Sequence, residues 1–149
     1  KKTLATVAGK YDVAVLDCPP ALGLLTVTAL VAADAVIAPV LPAAADLRGL
    51  QLFLGTLSQI REDLNPGLQL LGVVVVQFDG RLTAHNQALE VLSAAGLHVL
   101  MPPIPRSVRV QESAATGQPL QDYDPDGKPA VAYQQITIEV DTWLKQNQI

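Results

Sequence analysis

The chain has 149 residues, of which 50% are hydrophobic and 16% are charged, and its formal net charge is −4. That length suits one domain, so residues 1–149 are expected to form a single domain. The apolar content excludes a disordered chain, which would bury too little apolar surface to offset the entropy lost on ordering. One cysteine, Cys18, and two histidines, His85 and His98, form neither a disulfide nor a zinc-cluster pattern, which favours a cytosolic protein.

The chain opens with KKTLATVAGK, which has no initiating Met and no apolar core of signal-peptide length. We therefore expect a fragment or a processed chain. The most hydrophobic stretch, residues 29–45, is interrupted by Asp34, Pro39 and Pro42, and it falls short of the ~20 apolar residues of a membrane helix. No membrane span and no membrane partner are predicted.

Charge is distributed unevenly along the chain. Residues 81–109 hold Arg81, Arg106 and Arg109 against Glu90, a local charge of +2, whereas residues 110–149 carry a charge of −4. The negative net charge argues against an overall basic nucleic-acid binder. Any nucleic-acid contact is therefore expected at a local patch.

Short apolar runs alternate with helical patterns. Buried strands are predicted over residues 13–16, 35–40 and 70–76, and a short strand broken by Pro102 and Pro103 is predicted over residues 99–104. Helices are predicted over residues 21–33, from Asp46 to the Asn65-Pro66-Gly67 breaker, over residues 83–95, over residues 107–116 and from Pro129 onward. The apolar residues of the last helix share one face: Tyr133, Ile136, Val140, Trp143 and Leu144. This alternation predicts an α/β fold, a mostly parallel sheet with helices on both faces.

Ligands of such sheets bind beyond the carboxyl ends of the strands. This rule singles out Asp17 and the loops after Val40, Val76 and Ile104. An aspartate that closes a buried apolar strand is also where P-loop nucleotide hydrolases hold the acid that organises Mg²⁺ and its water ligands. The alternative is that Asp17 only caps the helix that follows, and the pattern alone leaves both interpretations open.

The nucleotide and metal motifs are incomplete. Neither Gly9-Lys10 nor Gly127-Lys128 has the earlier Gly and the following Ser or Thr that a phosphate loop requires, and no dinucleotide fingerprint is present. Residues 122–127 imitate the start of a calcium loop, but the twelfth position is Tyr133 where Glu is needed. A solvated acidic turn is predicted there instead.

Five ordered blocks carry a family resemblance. They are YDVAVLDCPPALGLLTVTALVAAD, PVLPAAADLRGL, LNPGLQLLGVVVVQFDGR, IPRSVRVQESAATGQPLQDYDPDGKPAVAY and an apolar final helix, and together they cover roughly residues 11–147. In this order they resemble the ParA-type chromosome and plasmid partitioning ATPases, which are deviant Walker-A relatives of MinD.

The resemblance implies a P-loop NTPase-like fold, here incomplete, and an ATP-dependent dimeric switch in the cytoplasm, associated with the nucleoid. ParA proteins bind ATP with Mg²⁺, pair across the nucleotides, bind DNA without sequence preference, and are released when a ParB-type partner stimulates hydrolysis. By the same resemblance, Asp17 is the Walker B acid bonded to magnesium-bound water, Pro105, Arg106 and Val108 border the adenine, and Arg81 and Arg109 contact the phosphate backbone of DNA.

The sequence also departs from the family. It lacks the Lys-Gly-Gly-x-Gly-Lys-Thr phosphate loop, and Thr28-Ala29-Leu30 stands where relatives often carry Asn-Ala-Leu. Because that loop supplies the backbone N–H groups and lysines that hold phosphates, this chain alone is expected neither to bind ATP tightly nor to hydrolyse it. Residues 13–16 would then form an unpaired hydrophobic strand edge, which predicts a homodimer or strand exchange.

Two alternatives stay open. A MinD-type division-site regulator would end in a basic amphipathic membrane helix, whereas residues 140–149 hold one Lys and one Asp. A non-catalytic ParA-like module for interaction or DNA binding would need no phosphate loop of its own.

Overall fold

The structure is a computed structural model that describes residues 2–6 and 9–147, with the backbone alone at residues 2 and 3. Its elements are α1 (Lys2–Ala5), α2 (Leu24–Ala32), β1 (Ala35–Val40), α3 (Ala44–Asp63), β2 (Gln69–Val75), α4 (Thr83–Ala94), α5 (Val108–Thr116), α6 (Leu120–Tyr123) and α7 (Lys128–Gln146). The chain divides into two compact units: unit one is residues 1–36 and 52–69, and unit two is residues 37–51 and 70–149. The single domain stays a prediction.

Strand β2 is the centre of the sheet. It runs parallel to β1, because the N–H of Gln69 donates to the carbonyl of Asp34 at one end and that of Val76 donates to the carbonyl of Val40 at the other, both at 3.0 Å. Successive residues of a strand point to opposite faces, yet every residue of β2 from Leu71 to Val75 is buried. Both faces of β2 are therefore covered, which confirms the predicted α/β class.

Residues 99–105 pair with β2 on its other edge. Val73 and Val99 form a parallel bridge, and the N–H of Ile104 donates to the carbonyl of Val75 at 2.8 Å. Pro102 and Pro103 lie between these contacts and have no N–H to donate. The break predicted at Pro102 and Pro103 is thus confirmed. The strand predicted over residues 99–104 is wrong, because the described residues of this segment form isolated bridges and no strand.

Gly72 lies where β2 and this segment approach most closely. A Cβ atom at Gly72 would lie 2.9 Å from Cγ of Leu100 and 3.0 Å from the carbonyl oxygen of His98. Only a residue without a side chain fits between them.

The predicted helices are confirmed with small shifts at their ends. In unit two, α4 buries Ala88 and Leu92, and α7 buries Ile136 on its predicted face. Helix α5 begins just after Ser107, whose hydroxyl oxygen accepts the N–H of Arg109 at 3.2 Å. Across residues 2–6 and 9–147, no helix combines the length and the hydropathy needed to cross a membrane.

In unit one, a buried asparagine holds the end of α2. Asn65 lies just past α3, and its side-chain amide donates to the carbonyl of Leu30 at 3.0 Å and to that of Ala33 at 2.8 Å. The last carbonyls of a helix have no partner within the helix. The amide of Asn65 supplies a hydrogen-bond donor for the end of α2. Asn65 also belongs to the Asn65-Pro66-Gly67 breaker that was predicted to end α3.

The strand predicted over residues 13–16 is wrong. Residues 13–19 belong to neither a helix nor a strand, and Val13, Val15 and Leu16 are exposed, Val15 by 89%. A strand requires a neighbour that pairs with its backbone N–H and C=O groups. Among the described residues none pairs with this segment as a strand, so Asp17 does not close a buried strand here.

Candidate functional site

Two loops that follow the strand ends of unit two lie side by side. The N–H of Phe78 donates to the carbonyl of Ile104 at 2.9 Å, and the N–H of Arg106 donates to the carbonyl of Phe78 at 3.0 Å. Phe78 and Pro105 thereby form a parallel bridge. We call residues 78–81 the first loop, and residues 105–109, which include the first two residues of α5, the second loop. The structure thus brings together the two segments that carry Arg81 and Arg109, at the edge of the sheet where ligands usually bind.

The first loop is fixed by its own side chains. Gln77 has a φ of +53°, a left-handed conformation that turns the chain out of β2. The N–H of Asp79 donates to Nδ1 of His85 at 3.0 Å, so Nδ1 is the accepting nitrogen of the ring. The rings of Phe78 and His85 lie 6.0 Å apart between centroids. His85 therefore holds the first loop in place.

Arg81 is exposed but paired. Its side chain is 89% exposed, and its Nε and one terminal nitrogen donate to the two carboxylate oxygens of Asp79, at 2.9 and 2.7 Å. The backbone N–H of Arg81 donates to the same carboxylate at 3.1 Å. A two-bond pairing of this kind fixes the plane of the guanidinium as well as its position.

Arg109 is paired more loosely. Its terminal nitrogen donates to one carboxylate oxygen of Glu112 at 3.0 Å, and the hydroxyl of Tyr123 donates to that same oxygen at 3.2 Å. Glu112 thereby joins α5 to α6. Arg106 lies in the second loop, between Arg81 and Arg109 in the sequence. It is exposed and forms no ion pair with any described residue.

The paired carboxylates change the charge of the predicted patch. Asp79 and Glu112 lie just outside residues 81–109, and with them residues 79–112 hold three arginines against three carboxylates, a net charge of zero. The expected local excess of positive charge is therefore neutralised within the site itself. Only the guanidinium of Arg106 remains without a carboxylate beside it among the described residues.

Of the other predicted site residues, Pro105 and Val108 lie in the second loop of unit two and Asp17 lies in unit one. Pro105 is half-buried in the bridge to Phe78, and Val108 is exposed at the start of α5. Asp17 belongs to unit one, where it is exposed.

The sequence supplies no phosphate loop, and Asp17 is an exposed carboxylate outside any strand. In the part of the chain that the structure describes, no three His, Cys, Asp or Glu side chains are grouped to hold a metal ion.

Sequence reasoning missed the partners of the arginines, although their signals are local. Asp79-Gly80-Arg81 has the spacing at which an aspartate side chain accepts the N–H two residues on. Glu112 lies three residues after Arg109, on the same face of a helix. His85 left no such signal, because its contact depends on the path of the first loop.

Known proteins match both the sequence and the fold. A family model described as an AAA domain matches residues 1–70. The sporulation initiation inhibitor protein Soj of Bacillus subtilis is 37% identical over 94% of this chain and 56% of its own length. The chromosome-partitioning ATPase Soj of Thermus thermophilus is 38% identical over 87% of this chain and 53% of its own length. The chromosome partitioning protein ParA of Myxococcus xanthus is 36% identical over 89% of this chain and 47% of its own length. The chain thus spans about half the length of the curated relatives it matches.

Solved structures agree on the fold. Cobyrinic acid a,c-diamide synthase from Mycobacterium smegmatis, solved with bound ADP and magnesium, is 31% identical and superposes with a TM-score of 0.75 over 98% of this chain and 52% of that protein. The cell division ATPase MinD of Pyrococcus furiosus is 22% identical, with a TM-score of 0.78 over 95% of this chain and 56% of that protein. The fold is therefore that of the P-loop NTPases.

Proposed function

Because this chain belongs to the ParA/Soj family of partitioning ATPases, we propose that it serves DNA segregation and that the two loops of unit two contact DNA. The observation that carries the proposal is the bridge between Phe78 and Pro105, which joins the segments bearing Arg81, Arg106 and Arg109. Guanidinium groups bind phosphate oxygens through paired N–H donors. Contacts of this kind go to the backbone, so they position a protein on DNA without reading its sequence.

The test is fluorescence anisotropy with a short labelled duplex, measured across a series of salt concentrations. Arg81→Ala and Arg109→Ala are each expected to weaken binding and to lower the slope of log K against log salt by about 0.9, one phosphate contact each. Arg48→Ala is the matched control, since Arg48 is an exposed arginine of α3 outside both loops. Unchanged affinity and slope in both loop variants would contradict the proposal.

ATP and Mg²⁺ enter the proposed function only in a complete family protein. There, Asp17 would bond to magnesium-bound water, and Pro105, Arg106 and Val108 would border the adenine. For this chain alone, we expect no micromolar binding of magnesium-ATP in isothermal titration calorimetry, because nothing in the sequence cradles the phosphates. Binding at micromolar concentration would show that its own residues suffice.

The proposed partners follow from the same family. They are a second copy of the chain, a ParB-type protein that stimulates hydrolysis in the complete protein, and nucleoid DNA in the cytoplasm. A non-catalytic module that binds DNA or modulates assembly is the second candidate, and the pairing of Phe78 with Pro105 favours it, because residues of this chain alone bring the two loops together. DNA binding with no response to magnesium-ATP would distinguish this module from a nucleotide-controlled switch.

A further inference from the structure

The proposed DNA contacts are already occupied by carboxylates of the same unit. Three N–H groups of Arg81 donate to Asp79, two from its guanidinium and one from its backbone. Glu112 accepts a single bond from Arg109 and shares the accepting oxygen with Tyr123. Each arginine proposed to contact DNA therefore has an internal anion.

A carboxylate and a phosphodiester offer an arginine similar ligands. Both present two oxygens to the fork of parallel N–H groups, so only one of them can fill a given edge of the guanidinium. Asp79 fills the edge formed by Nε and one terminal nitrogen of Arg81. A phosphate that takes this edge must displace Asp79, and one that takes the outer edge still meets the negative charge of Asp79.

We propose that Asp79 acts as an internal competitor of DNA phosphate for Arg81, with Glu112 doing the same for Arg109. This inference rests on the proposed function. The two loops then bind DNA less tightly than their arginines alone would allow. Arg106, which is exposed, has no such carboxylate beside it among the described residues.

The competition is weak enough to be overcome by DNA. The Arg81 side chain is 89% exposed, and exposed ion pairs contribute little because water and salt screen them. The pairs therefore attenuate binding and do not prevent it. Asp79 is the stronger competitor of the two, because its carboxylate engages Arg81 through two side-chain bonds and Glu112 engages Arg109 through one.

The experiment compares duplex affinities of the 149-residue chain and its variants at low salt. Asp79→Asn keeps the oxygen that accepts the Arg81 backbone N–H and removes the charge, so binding should become about two- to five-fold tighter, the range an exposed ion pair allows. Glu112→Gln keeps an acceptor for Tyr123 and should give a smaller increase. Asp126→Asn is the control, because Asp126 is exposed, undergoes the same charge change and has no arginine partner among the described residues.

The double variant Arg81→Ala/Asp79→Asn separates this inference from the proposed function. If Asp79 acts through Arg81, removing the carboxylate has no effect once Arg81 is absent. If Arg81→Ala weakens binding but Asp79→Asn leaves binding unchanged or weaker, the proposed competition is overturned and the phosphate contact of Arg81 stands. Unchanged binding in Arg81→Ala overturns the phosphate contact, and the competition with it. Circular dichroism spectra of all variants confirm that the fold is retained.

Discussion

At the scale of single residues, the pairing of Arg81 sets the charge state of Asp79. Hydrogen bonds from the Arg81 side chain, and then from its backbone N–H, hold the pKa of the Asp79 carboxyl well below its ordinary range. A carboxyl whose pKa falls on folding stabilises the folded state above its unfolded pKa of about 3.9, and this contribution is lost as the pH falls through the folded value. Asp79 therefore remains an anion in mildly acidic solution.

Replacement of Arg81 by Ala is expected to raise the pKa of Asp79 toward the ordinary value of about 3.9, because the main hydrogen-bond donors to the carboxylate are lost. The measurement is the pH titration of the Asp79 carboxyl carbon by NMR. Arg109→Ala, which alters the other pair, should leave the Asp79 titration unchanged. A titration that stays at the same low pH in Arg81→Ala would mean that Arg81 is not the cause.

At the scale of elements, strand β2 depends on a close approach that only glycine permits. Its centre is buried on both faces, and the segment carrying His98 and Leu100 lies against Gly72 at distances that leave no room for a Cβ atom. Forced contacts in a packed core displace side chains or backbone, because the neighbours are close-packed as well. The register between β2 and residues 99–105 therefore depends on Gly72.

We expect Gly72→Ala to lower the free energy of unfolding by about 1–3 kcal/mol, the usual cost of overpacking. Urea denaturation followed by circular dichroism measures it. Gly55→Ala is the matched control with the opposite sign: Gly55 is an exposed position within α3 with open space at its Cβ, so Ala should add up to about 1 kcal/mol of helix stability. Equal effects of the two substitutions would contradict the close approach.

At the scale of the whole molecule, unit one leaves an apolar stretch open to solvent. Val13 and Val15 are exposed in the segment that was predicted to be a strand, and Leu24 and Leu25 are exposed at the start of α2, Leu24 by 82%. Extended apolar chain with free backbone groups adds to other chains as a strand. A second copy of this chain is the occupant we propose, because the same segment can pair with itself about a two-fold axis.

Val15→Lys should lower the extent of self-association, because a charge at the centre of the segment is costly to bury in a pair of chains. Light scattering over a concentration series measures the mass. Val91→Lys is the control, since Val91 is an exposed valine on α4 of unit two. A chain that is monomeric at high concentration without any substitution would contradict self-association through this segment.

Local patterns predicted much of this molecule, and tertiary partners decided the rest. Strands β1 and β2 and helices α4, α5 and α7 follow from apolar patterns that are encoded within each segment. Gly96 and Gly117, both with positive φ, follow the ends of α4 and α5. Residues 13–16 carry an equally clear strand pattern, but a strand also requires a neighbour. The charge of +2 over residues 81–109 follows from the sequence, whereas the pairing of Arg81 with Asp79 and of Arg109 with Glu112 is a property of the folded loops.

The amide of Asn65 imposes an order on how unit one is assembled during synthesis. It bonds to the carbonyls of Leu30 and Ala33, which precede it by 35 and 32 residues. A ribosome adding roughly 5–20 residues per second exposes α2 a few seconds before that amide emerges. Until then the carbonyls of Leu30 and Ala33 lack this donor, so the contact between the end of α2 and Asn65 forms only once translation has passed α3.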